Sequence, residues 1–202
     1  GRHNTRRCGE AWQLSSCPHD WCVLHARSAN SAGHGAWRWR RGHGTGRQDA
    51  ILLACALRPD ADHDALTDLA TALASSAERA HETLAQGAAL AQTVAALTGR
   101  TLKPRPLPVA LGQAASPLNL PAPQVIALYL HAFASNLIQC MVRFVPLGQT
   151  EGQATLTALH PLIQSLAQTL STATTVDLAA SAFGAEMAAM RHETLQPRIF
   201  KT

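Results

Sequence analysis

The chain has 202 residues, 47% of them hydrophobic, which allows one domain with an appendage and a sizeable core. No run reads as the roughly 18 apolar residues of a membrane helix, and the basic start at Arg2, Arg6 and Arg7 has no apolar segment behind it. A membrane partner and a signal peptide are therefore not expected, and the compartment reads as cytoplasmic. Five scattered cysteines, an odd number, do not make a disulfide framework.

The charge is unevenly divided. Residues 1–47 hold eight Arg against Glu10 and Asp20, whereas residues 48–202 hold nine basic and eleven acidic side chains. All four Trp (Trp12, Trp21, Trp37, Trp39) also fall in the first stretch. Three readings of it compete. Interleaved Arg and Trp over 37–47 suit nucleic acid, through stacking and phosphate contacts. Cys17, His19, Cys22 and His25 offer metal ligands at short spacing, although no second half follows. Alternatively the segment is disordered or aberrant, since it lacks the apolar periodicity that would offset its ordering entropy.

From Asp49 onward the pattern is helical. Asp49 is placed to cap a helix over 50–57 that stops at Pro59. Asp60 to Asp64 open a second helix reaching residue 74. Ser75 or Ser76 opens a longer one over 78–97, ended by Gly99, and Gly87 inside it suggests close approach of a neighbouring backbone. A Pro-rich link (102–108), a short helix (109–115) and a corner (116–124) follow, with Pro123 in the first turn of a central helix. Another helix is expected over 150–170, kinked at His160-Pro161, and a last one after Asp177. No segment alternates as a strand. The fold class expected is all-α, a single domain of roughly six to eight helices.

The central helix ends in a corner, VPLGQTEGQ. Pro146 cannot continue the ladder, and Gly148 is expected in a left-handed conformation past the helix end. Leu147 and Gln149 complete the turn, Thr150 is the expected N-cap, and Gln153 its capping-box partner, with Gly152 between them. Arg143 sits in the last turn before it, where a cation meets the helix's negative end. The chain closes on RHETLQPRIFKT, in which Pro197 ends any helix and Arg198, Ile199 and Phe200 form a charged-apolar tail.

These two strings, with YLHAFASNLI before the corner, AERAHETLAQGAAL earlier and the upstream GTGRQDAILL, resemble the urease accessory protein UreF family. Its members carry the same Val-Pro-Leu-Gly-Gln-Thr-x-Gly-Gln corner and finish on Arg-His-Glu-Thr, a spacer and a basic-aromatic end. Arg191, His192, Glu193, Thr194, Arg198 and Phe200 match, and Leu195 to Pro197 depart. The likeness is assigned to residues 44–202. The family's usual N-terminal motif is missing, and the codons possible for Trp21 to Leu24 permit a Gly-Ala-Phe-like reading one base on. Residues 1–43 are thus expected to be an out-of-frame reading of that N-terminus.

The resemblance implies a non-enzymatic, dimeric scaffold and gatekeeper that binds UreD (also called UreH) and the nickel-carrying GTPase UreG to deliver nickel to apo-urease. It implies no stably bound cofactor, nickel being handled by the complex. Arg191, His192, Glu193, Arg198, Ile199 and Phe200 are the expected partner-binding residues, with residues 194–202 a docking tail. The residues themselves agree in part. No Gly-rich loop of P-loop spacing occurs, and His192 and Glu193, adjacent on one helix, face different ways and make a poor dyad. Cys140 and His131 read as core residues of the central helix rather than ligands, so no catalytic or metal residue is assigned. The other class of function is a helical nucleic-acid-binding protein that uses the Trp- and Arg-rich start.

Overall fold

The computed structural model describes residues 45–144 and 148–178. Six α-helices cover most of them: α1 (Thr45–Ala56), α2 (His63–Ala72), α3 (Ala77–Thr98), α4 (Leu107–Ala115), α5 (Ala122–Phe144) and α6 (Gln149–Leu170). Single 3-10 turns follow α4, at Ser116–Leu118, and α6, at Thr175–Asp177. No strand occurs among the described residues, so the all-α expectation holds. Pro146, Leu147, the final helix expected after Asp177 and the whole tail with Arg191, His192, Glu193, Arg198, Ile199 and Phe200 lie outside the described residues, as do the Trp- and Cys-bearing residues 1–44.

The fold is organised around α1. From Asp49 to Ala56 every residue is buried, as suits a helix that is apolar on all sides. It packs against α2, α4, α5 and α6 together. The helix begins at Thr45, a turn earlier than expected, so Asp49 lies inside it and is not its cap.

The start and stop signals mark α2 and α3 closely. Asp62 caps α2, its carboxylate accepting from the Asp64 and Ala65 amides at 3.0 Å each. Ser76 caps α3, and Gly99 closes it in the left-handed conformation at φ 72°. Both residues are short and polar or lack a Cβ, as those positions demand.

Two seams depend on missing side chains. A Cβ on Gly87 of α3 would stand 1.8 Å from the Arg105 carbonyl oxygen, and one on Gly112 of α4 would stand 2.4 Å from Ala56 Cβ. Backbone therefore meets backbone where α3 lies on the Pro-rich link, as Gly87 suggested. The link is held further by its own donors. Leu107 N–H donates to Thr83 Oγ1 at 3.2 Å. Arg105, only 5% exposed, donates to the His63 carbonyl at 2.6 Å and Thr67 Oγ1 at 3.0 Å, and pairs with Asp64 at 2.8 Å.

α5 and α6 form a long antiparallel pair. Val125, Ile126, Tyr129, Leu130, Ala134 and Ile138 give α5 its buried stripe, at the spacing that one helix face requires. Contrary to the reading of the sequence, α5 is long and apolar enough to cross a membrane, with mean hydropathy 1.6 over its best window. Its buried stripe faces α1 and α6, while Gln124, Asn136 and Arg143 are exposed.

Candidate functional site

One buried polar group among the described residues spans three helices. Asp49 on α1, Arg79 on α3 and Tyr129 on α5 meet across three helices. Arg79 Nη2 donates to Asp49 Oδ2, and the Tyr129 hydroxyl donates to the same oxygen at 2.7 Å. Asp49 is 7% exposed. Burial pushes its carboxyl above the ordinary carboxylate range, against the opposing pull of the Arg79 charge and of both hydrogen bonds. Burial likewise lifts the Tyr129 phenol well above its usual value, helped by the Asp49 charge.

This group has the donors to hold three helices in register but not the room for a substrate. The cleft beside it, lined in part by Gln48, Ser75 and Thr83, measures about 30 Å³, enough for water and little else. A buried charge with both its donors in place is a structural clamp, and its value lies in specifying which helices meet. Sequence reasoning missed it because an Asp just before an apolar run is also the signature of a cap. Tyr129, a hydroxyl on the apolar face of α5, was the available signal.

The corner after α5 departs from expectation in its detail. Gly148 has φ −67° and ψ 154°, ordinary extended backbone, and is itself the N-cap of α6. Thr150 is therefore inside the helix. Glu151, rather than Gln153, reaches back, accepting from the Gly148 amide at 3.2 Å. A glycine N-cap has no side chain to serve the first amides, and a carboxylate at the third helical position serves the cap instead. Gln149 and Thr150 are exposed, and Gly152 is buried. A Cβ on Gly152 would lie 2.9 Å from Val142 Cγ2 and 3.3 Å from Ile138 Cγ2, so this residue sets the close approach of α5 and α6.

Pro161 lies within α6 without ending it. His131 and Cys140 are half-buried, less enclosed than the sequence suggested, and the His131 ring stands against His160 of α6. Beyond α6, Asp177 accepts from the Thr174 amide at 2.8 Å, and that bond holds its carboxyl below the usual range. Arg47 of α1 donates to the Asp177 carbonyl at 2.8 Å, tying the end of the described chain to its start. Among the described residues no group of three or more His, Cys, Asp or Glu side chains is placed to hold a metal ion.

Fold and site together define an all-helical domain whose interior polar chemistry is spent on joining helices. The chain belongs to the UreF family: the family model of that name matches residues 29–160. It is 58% identical over 186 residues to the urease accessory protein UreF of Cereibacter sphaeroides, a match covering 91% of this chain and 87% of the relative. It is 51% identical over 160 residues to that of Paracoccus denitrificans, covering 79% and 74%, and 46% identical over 183 residues to that of Jannaschia sp., covering 89% and 82%. A match over 91% of the chain is longer than residues 44–202 can hold, and the family model starts at residue 29. The likeness therefore includes residues upstream of Gly44 that the sequence reading set aside.

Proposed function

We propose that the chain is a urease accessory protein that acts as a scaffold and gatekeeper rather than as an enzyme. In this reading it pairs with a second copy in the cytoplasm, binds UreD (UreH), recruits the GTPase UreG and governs the passage of nickel, as cargo, to apo-urease. No stably bound cofactor is part of the proposal. The observation that carries it is the 58% identity to a urease accessory protein over 91% of this chain. Asp49, Arg79 and Tyr129 serve one another across three helices, which suits a scaffold.

The tail carries the proposed contact. Arg198 offers a forked cation for a carboxylate, and Ile199 with Phe200 offers an apolar anchor. Truncation after Glu193 is expected to leave the melting temperature nearly unchanged. Capture of UreD or UreG and urease activation in cells should be abolished. A truncated chain that still captures both partners and activates urease overturns the docking role of the tail.

A further inference from the structure

Two arginines bracket α1, and both donate to main-chain carbonyls beyond α6. Arg47, in the first turn of α1, donates to the Asp177 carbonyl at 2.8 Å. Arg58, just past the end of α1, donates from Nη2 to the Ala173 carbonyl at 2.8 Å. The Cys55 thiol lies 4.0 Å from that same oxygen. Residues 173–177 therefore run back along α1, from its C-terminal end to its N-terminal end, as a strap tied at both ends.

The strap buries little of its own surface. Ala173 is buried and Leu178 half-buried against the core, whereas Thr175 and Val176 are exposed, Val176 by 89%. Its turn is stiffened from within, since the Thr174 amide and hydroxyl donate to Asp177 Oδ2 at 2.8 and 3.1 Å. A segment near a chain end frays unless something ties it down. A guanidinium bonded to a carbonyl ties the backbone itself, because a carbonyl cannot swing away from its chain as a side chain can. Bonds with one charged partner are also the stronger ones. Both ties fall just before residue 179, where the chain sets out toward the tail.

We infer that Arg47 and Arg58 are positioning residues for the tail. By fastening residues 173–177 to the core helix, they set the place and direction from which the chain beyond Leu178 leaves to meet its partner. A fixed departure point lowers the ordering that docking would otherwise cost. The inference rests on the docking role proposed above for the tail. The two arginines act through the junction and need not touch the partner.

The test pairs hydrogen exchange with capture of UreD and UreG, using the full chain, Arg47→Ala, Arg58→Ala, the double variant, Arg47→Lys and Arg58→Lys. Each Ala variant should speed exchange of the Ala173, Thr174, Asp177 and Leu178 amides by roughly tenfold or more, with the amides of α1 to α5 unchanged. Melting temperature should stay near that of the full chain while capture weakens by roughly tenfold. A lone carbonyl asks for one donor and not a fork, so the Lys variants should keep capture to within about threefold. Faster exchange at the junction with unchanged capture would mean that the strap only closes the domain, and the positioning role is then overturned. Unchanged exchange overturns it as well. So does a loss that Lys does not restore, or one that appears only together with a fallen melting temperature. Truncation after Glu193 separates the two readings. A truncated chain that still captures both partners removes the docking role of the tail and this inference with it. Loss on truncation, with full capture by the arginine variants, overturns this inference alone.

Discussion

The α1–α4 framework and the α5–α6 pair bury apolar surface by different means. In the framework, helix meets backbone: Gly87 lies against the Arg105 carbonyl and Gly112 against Ala56. Charged groups are buried there too, with Arg105 capturing the His63 carbonyl and Asp64 and with Arg79 on Asp49. The α5–α6 pair relies on an apolar stripe and one close contact at Gly152, and its outer faces are open, Leu128 being 66% exposed. One region is specified by contacts that admit a single arrangement, the other by area, which tolerates substitution.

The largest effect expected from that difference is at Gly87. An added methyl would overlap the Arg105 carbonyl oxygen, and neither partner is a side chain that can swing away. Gly87→Ala should cost about 3 kcal/mol, the upper part of the overpacking range, despite the better helix propensity of Ala. Chemical denaturation measures it. A loss under about 1 kcal/mol would mean that α3 can slide off the link, and the framework would then be no more specified than the α5–α6 pair.

Next comes the clamp. Asp49→Ala removes the acceptor shared by Arg79 and Tyr129 and leaves a cation and a hydroxyl facing the core. Losing one partner of a buried pair costs about 3–5 kcal/mol. The Arg79 side chain keeps 23% of its exposure and can turn toward water, so about 2–3 kcal/mol is expected. Tyr129→Phe, which leaves the ion pair in place, should lose about 1 kcal/mol. Equal losses in the two variants would show that the clamp rests on the hydroxyl bond between α1 and α5 and not on the charge pair between α1 and α3.

The helices were legible because their ends are chemically marked: Ser76 and Gly99 bracket α3, and Asp62 opens α2. Gly87 betrayed a close approach because Gly within a helix is otherwise unfavourable. The Asp49 clamp was not legible, since its three members come from three helices and an Asp near a helix start has two meanings. The His131–His160 pair was hidden in the same way, as periodicity assigns a face to each helix but does not say which faces meet. The corner motif was recognised as a unit, yet its cap was placed two residues late. Thr150 is the better N-cap by preference, and the helix begins earlier because Glu151 supplies the bond that a glycine cap lacks.

The smallest effect is expected at that corner. A left-handed Gly148 would have made Gly148→Val costly through strain, by roughly 1–3 kcal/mol. Its backbone at φ −67° and ψ 154° is one that a β-branched residue adopts readily. A Cβ there meets only Glu151 Oε2, at 3.8 Å, which is ordinary contact. What remains is the poorer fit of Val at an N-cap, where glycine ranks ahead of branched residues. The Glu151 bond to the residue 148 amide does not depend on the side chain at 148 and should survive. Gly148→Val is therefore expected to cost less than about 1 kcal/mol, read as a small shift of the denaturation midpoint at constant slope. A loss matching Gly87→Ala would place the corner among the contacts that admit one arrangement, and the division between framework and helix pair would fail at the point where the two long helices join.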